Sequence, residues 1–326
     1  MGRNWLIACA AQMGLVAGLG CDSRALDPMD PHMPGDTPPI DPAAAWIAFD
    51  SDGGSGRDIW VIRVDQSARR ALITEPSTEA QPTFSHDGTK LAYASDRDGG
   101  VMQIYVMNLA NGLVSRVTQR SGGAHDPAFS IDDTRIGYRS GDSVFTALLD
   151  GSDERQATGG SLCCAGGGPE FGGPVFPSDG QSVIYDDYNA IYAVSGTDRR
   201  TIVMPTTGEQ SHPALSPDGS TIVLQATCAG DDAARSLWMV PANAITPYSC
   251  TGGQRISELG TDATHAAWGP NNMIVWGSVR GGTNSTSPVL SDLVLWQDGK
   301  LRTVESGTGD IRNPSWSPPG TTIGMW

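Results

Sequence analysis

From about residue 46 onward the apolar residues come in short runs that alternate with small or polar ones, and Gly, Asp, Asn, Ser or Pro closes each run. Leu91-Ala-Tyr-Ala-Ser95, Ile136-Gly-Tyr-Arg-Ser140, Val183-Ile-Tyr-Asp186 and Ile222-Val-Leu-Gln225 form one set of such runs. Asp58-Ile-Trp-Val-Ile-Arg63, Gln103-Ile-Tyr-Val-Met-Asn108, Ala190-Ile-Tyr-Ala-Val194 and Ser236-Leu-Trp-Met-Val240 form a second. A period of two, rich in β-branched and aromatic residues and bounded by turn formers, predicts strands. No amphipathic helix of useful length is legible after residue 20.

The strands belong to a repeat. Gln81-Pro-Thr-Phe-Ser-His-Asp-Gly88 returns as Asp126-Pro-Ala-Phe-Ser-Ile-Asp-Asp133, Gly173-Pro-Val-Phe-Pro-Ser-Asp-Gly180, His212-Pro-Ala-Leu-Ser-Pro-Asp-Gly219 and Asn313-Pro-Ser-Trp-Ser-Pro-Pro-Gly320. An eroded copy stands at His265-Ala-Ala-Trp-Gly-Pro-Asn-Asn272, and successive copies begin 45, 47, 39, 53 and 48 residues apart. That period marks one supersecondary unit stacked around an axis. Asp-Gly between two apolar runs predicts a type I′ hairpin, whose two central residues need positive φ. A third strand follows, and a weaker fourth ends near Val117-Thr118. Four antiparallel strands per unit make a propeller blade.

The predicted fold is therefore all-β, a six-bladed propeller. The first blade starts at Trp46-Ile-Ala-Phe49, which reads as a second strand, while Pro314-Ser-Trp-Ser317 at the other end of the chain supplies the missing inner strand. Residues 312 to 326 are expected to close the ring on residues 46 to 76. Thr322-Ile-Gly-Met-Trp326 also reads as a second strand and leaves an incomplete seventh blade as the alternative.

The stretch from Pro82 to Asn108 resembles the WD40-like repeat of the TolB propeller family almost position for position, and the likeness runs more loosely over about residues 46 to 326. The resemblance implies a six-bladed propeller, often a periplasmic one. TolB carries an α/β domain ahead of its propeller. Here the repeat pattern already begins at Trp46, so TolB's own partners are not carried over.

Residues 1 to 20 hold Arg3 and then an apolar stretch from Trp5 to Leu19 broken by Gln12, the pattern of an export signal rather than of a membrane span. Leu19-Gly-Cys21 resembles a bacterial lipobox, which makes Cys21 the expected lipidated residue, with plain secretion as the alternative. Residues 21 to 45 contain Pro28, Pro31, Pro34, Pro38, Pro39 and Pro42 and are expected to act as a semi-extended tether, ahead of a propeller over 46 to 326.

The formal net charge is −15, with only two lysines, Lys90 and Lys300. Nucleic acid is therefore a poor partner, and membrane association is expected through the lipid anchor rather than through a basic surface. Cys9 leaves with the signal and Cys21 is assigned to lipid, leaving Cys163, Cys164, Cys228 and Cys250. An even count in an exported chain is consistent with disulfides, and Cys228 with Cys250 is the expected pair. The state of Cys163 and Cys164 is open between a vicinal bridge and free thiols.

No Gly-x-Ser-x-Gly elbow, His-Glu-x-x-His or phosphate-cradling loop occurs. Asp50 to Asp58 is similar in composition to a calcium loop but lacks the closing Glu, and reads as a hairpin loop. His125, His212 and His265 fall at equivalent or adjacent repeat positions. A ring of imidazoles could hold a divalent metal, as the propeller-fold oligogalacturonate lyases do, or the histidines could simply cap turns. The expectation is a monomeric, cofactor-free envelope module that binds a protein or an envelope polymer. The alternative is a metal-dependent glycan lyase or hydrolase.

Overall fold

The computed structural model describes residues 45–52, 56–158, 172–187, 190–203, 210–227, 235–242, 253–258, 261–280, 290–307 and 309–326. In chain order the strands are β1 (Trp46–Asp52), β2 (Arg57–Arg63), β3 (Arg69–Ile73), β4 (Glu79–Phe84), β5 (Lys90–Ser95), β6 (Gln103–Asn108), β7 (Val114–Arg116) and β8 (His125–Phe129). There follow β9 (Arg135–Ser140), β10 (Ser143–Leu148), β11 (Arg155–Gln156), β12 (Val183–Asp186), β13 (Ile191–Ser195), β14 (Asp198–Val203), β15 (Gln210–Leu215) and β16 (Thr221–Ala226). The last are β17 (Ser236–Pro241), β18 (Gln254–Arg255), β19 (Asp262–Trp268), β20 (Ile274–Arg280), β21 (Leu290–Gln297), β22 (Lys300–Ser306) and β23 (Asp310–Trp316).

These strands build six antiparallel sheets, one per repeat. In blades two, three, five and six, four consecutive strands make the sheet. Blade four has β12 to β14 plus a bridge between Val175 and Ile184 where the inner strand passes. Blade one has the order β23-β1-β2-β3, so the far end of the chain provides its innermost strand, with Ile47 opposite Trp316 and Asp52 opposite Asp310. Six blades result, and among the described residues no seventh. Residues 322–326, the competing candidate, form no strand. They lie across blades one and two, where Gly324 N donates to the Leu109 carbonyl at 2.8 Å and Arg70 donates to the carbonyls of Ile323 and Gly324.

The core is not one cluster but a set of junctions between neighbouring blades. Strand alternation divides each blade's side chains between two neighbours: Trp46 and Ala48 pack toward blade two, whereas Ile47 and Phe49 pack toward blade six. Leu91 and Tyr93 face blade one, and Ala92 and Ala94 face blade three. Both faces of such a strand are covered, which is why its two alternating sets are each apolar or small. Tyr93–Tyr105 and Tyr185–Tyr192 stack as cross-strand pairs at 5.9 and 5.6 Å, each with an arginine, Arg97 or Arg199, over a ring.

The hairpin turns after the inner strands of blades two, three and five differ from the type I′ expectation, whereas in blade six Asn271 (φ 55) and Asn272 (φ 55) hold the two central positions as expected, with Met273 N donating to the Pro270 carbonyl at 3.2 Å. In the first complete repeat Gly88 (φ 67) donates to the Ser85 carbonyl at 3.0 Å, and neither His86 nor Asp87 has positive φ. This is a type I turn followed by a left-handed residue. The reason is the serine and aspartate: Asp87 accepts from Ser85 Oγ (2.6 Å) and Thr89 N (2.9 Å), which stabilises the ordinary turn from within. The same bonds recur at Ser130/Asp132/Thr134 and Ser216/Asp218/Ser220. Where the third repeat replaces Gly by Asp133 (φ 55), its carboxylate accepts the N–H groups of His86 (2.8 Å) and Asp87 (2.7 Å) from the preceding blade's turn. Asp133 thereby staples blade three to blade two.

Candidate functional site

Each complete inner strand contains a bulge at the residue that opens the repeat phrase. Gln81, Asp126, His212, His265 and Asn313 have φ between 50 and 57, and the pairing register skips at each of them. The left-handed region is costly for most side chains, and Asn, Asp and His enter it most readily. Four of these five residues are of those types. A bulge re-aims the side chain it carries, and all five residues, with Gly173 at the sixth position, line the propeller axis.

Behind this ring lies a second one, contributed by the second strand of each blade: Asp50, Ala94, Arg139, Asp186, Gln225 and Gly277. Its polar members pass through the bulges to the next blade. Asp50 accepts Gln81 N at 2.9 Å and Asn313 Nδ2 at 2.7 Å. Asp186 accepts His212 N at 3.0 Å and Gly172 N at 2.9 Å. Arg139 donates to the carbonyls of Gly172 and Asp186. Where blade two has Ala94 instead, the side-chain Oε1 of Gln81 accepts Asp126 N at 3.0 Å. A Cβ on Gly172 would stand 2.4 Å from His212 Cα, so that glycine permits blades four and five to close on each other.

From the first ring a funnel of about 550 Å³ opens toward the turns at the ends of the inner strands. Its walls include Pro82, Pro127, Pro174, Pro213, Phe176 and Trp268. Trp268 and Trp316 donate through Nε1 to the Ala214 and Ala267 carbonyls, closing the wall between blades five, six and one.

Electrostatics at the floor follow from enclosure. Burial pushes the Asp126 carboxyl up to about 7, with Asp186 and Asp50 adding to the effect against the pull of Arg139. Burial brings His212 down to about 3, helped by Arg235, Arg139 and Arg312, and holds His265 well below its usual value. Both imidazoles are neutral at physiological pH.

The three histidines singled out by the sequence do not converge. His212 and His265 meet edge to face, with ring centroids 4.1 Å apart. His125 stands one residue before the bulge, paired with Arg139 across the sheet, and its Nε2 lies beside Gly123 rather than in the funnel. The place that a third imidazole would take belongs to Asp126. Among the described residues no group of three or more His, Cys, Asp or Glu is arranged to hold a metal ion. Cys21, Cys163, Cys164, Cys228 and Cys250 lie outside the described residues. Sequence reading missed Gln81, Asp126 and Asn313, although the signal was present: a residue tolerant of positive φ placed directly before proline in several copies.

Residues 33–185 match the family model of the TolB β-propeller domain. The Tol-Pal system protein TolB of Francisella tularensis subsp. mediasiatica is 25% identical over 255 residues, which is 73% of this chain and 54% of that protein. An uncharacterized peptidase of Bacillus subtilis, YuxL, is 25% identical over 178 residues, 54% of this chain and 26% of the peptidase. The chain thus spans about half the length of the TolB relative and a quarter of the peptidase. Among solved structures, TolB from Acinetobacter baumannii superposes with a TM-score of 0.68 at 19% identity, covering 84% of this chain and 67% of that one.

Proposed function

We propose that this TolB-type six-bladed β-propeller is a non-catalytic binding module of the cell envelope whose protein or polymer partner engages the axial funnel. One observation carries the reading: five left-handed bulges spend backbone strain to aim polar side chains into a single walled recess. Strain of this kind costs about 1–3 kcal/mol per residue and clusters at ligand clamps. The name of one relative, a Tol-Pal system protein, fits a partner-binding role in the envelope.

A photo-crosslinking residue at Ser178, on the funnel mouth, is expected to trap a specific envelope partner in cells, whereas the same residue at Val101, on the opposite end of blade two, is not. Adducts from Val101 alone, or from neither site, would place binding elsewhere or remove it.

Anchoring completes the proposal. The chain is exported, cleaved before Cys21 and lipidated there, and residues 21–45 hold the propeller away from the membrane. Intact mass of the mature protein should show the acyl mass, lost in Cys21→Ala, and a non-reducing peptide map should link Cys228 to Cys250. An unmodified chain cut at another position, or both cysteines recovered as free thiols, contradicts the respective part.

A further inference from the structure

The axis carries an uneven charge. Three carboxylates, Asp50, Asp126 and Asp186, stand around the ring with two guanidinium groups, Arg57 and Arg139. Arg57 holds Asp50 at 2.6 Å, and Arg139 lies 3.5 Å from Asp186. The flanking pairs are matched, Asp310 with Arg312 at 2.6 Å and Asp262 with Arg235 at 2.8 Å. Asp126 forms no ion pair among the described residues, its carboxylate taking a hydrogen bond from the Gln81 side chain and a pull from Arg139, yet it sits on the funnel floor. A single positive charge placed there balances the ring.

The shape restricts what can bring that charge. From Gln81 to Ser85 the wall is about four residues long, about 13 Å deep. A slim alkyl stem carrying its charge at the tip suits such a recess. The wall prolines and Phe176 are apolar and suit methylene groups. The turns around the mouth add attraction. Asp87, Asp132, Asp179 and Asp218 are exposed on four blades, and each is held ionised by hydrogen bonds from its own turn. A ring of one sign steers an oppositely charged partner.

We propose that the funnel receives one lysine side chain of a protein partner, its ammonium seated between Asp126 and the His212–His265 pair and its methylenes against the proline wall. This rests on the binding-module reading above and names the group that the module recognises. The full chain is titrated with Nα-acetyl-lysine amide and, separately, with the uncharged isostere Nα-acetyl-norleucine amide, following funnel resonances by NMR. The lysine probe should bind at least tenfold tighter than norleucine. Asp126→Asn should erase that preference while leaving the fold intact, because Asn also tolerates the left-handed backbone.

Affinity should depend on pH through Asp126. The groups facing it are Arg139 on β9, Asp186 on β12, Asp50 on β1 and Gln81 on β4, while His212 stays neutral over pH 5–8 and burial displaces His265 in the same direction. An ammonium favours the ionised carboxylate, so Kd should be flat above pH 8 and weaken about tenfold per unit below pH 7. Equal binding of the two probes, unchanged affinity in Asp126→Asn, or a Kd flat from pH 5 to 8 would overturn the proposal. So would calcium chloride shifting the same resonances and excluding the lysine probe, which would assign the floor to a metal cation. If Ser178 crosslinks a partner in both wild type and Asp126→Asn, the binding module stands and only the lysine assignment falls.

Discussion

Deleting Arg312 to Trp326 is expected to abolish cooperative unfolding altogether. The deletion removes most of β23, the inner strand of blade one, and leaves β1 as an open edge with Ile47 and Ala48, both fully buried, exposed to water. It also takes away Trp316, which packs between blades one and six and donates to the Ala267 carbonyl at 3.1 Å, and Ser317, whose hydroxyl accepts Trp46 N at 2.8 Å. Loss of one buried tryptophan alone costs about 3–5 kcal/mol, against a total stability of about 5–15 kcal/mol for a domain. Calorimetry should show no sharp transition and the purified variant should aggregate. A truncated protein that melts in one sharp step near the full-length temperature would mean the ring does not depend on this closure.

Acid should unfold the protein earlier than its carboxylates alone require. His212 titrates near 3 in the folded chain and near 6.5 once unfolded, so between these values the unfolded state binds the extra proton and stability falls as pH falls. The slope is up to about 1.4 kcal/mol per pH unit for each such histidine, and His265 acts in the same direction. Asp126 opposes them: raised to about 7 from about 3.9, it favours the folded state when protonated, and that contribution is lost as pH rises through 7. Between about pH 4 and 6.5 His212 and Asp126 act in opposite directions, and the downward displacement of His265 tips the balance toward loss of stability in acid. Urea midpoints measured from pH 3 to 8 should fall steadily below pH 6.5, and His212→Asn, which keeps a residue suited to positive φ, should flatten the profile. A variant profile parallel to the wild type would show that His212 is not the titrating group.

Strand positions were legible because their causes are local. Gln103–Asn108 and Val183–Asp186 match the observed strands residue for residue, since alternation and flanking turn formers lie within a few positions of each other. The turn type was misread for an equally local reason: Asp-Gly was weighed without the serine two residues earlier, whose hydroxyl bonds to the aspartate and stabilises an ordinary type I turn. Histidine attracted notice as chemistry, while Gln81, Asp126 and Asn313 passed as turn residues, because nothing in a linear reading shows that one backbone bulge points all of them at the same axis.

By itself the sequence determined the number of blades, the strand order within them and the closure of the first blade by the last strand, because a repeat period and a missing inner strand are properties of the chain. The floor of the funnel was decided only in three dimensions. Asp50 meets Gln81 from 31 positions away and Asn313 from 263, partners brought together by ring closure and by backbone that turns left-handed just where the inner strands approach the axis. Its charge balance was decided there too, since the Asp126 carboxyl is pushed upward only where the blades crowd around it beside Asp186 and Asp50.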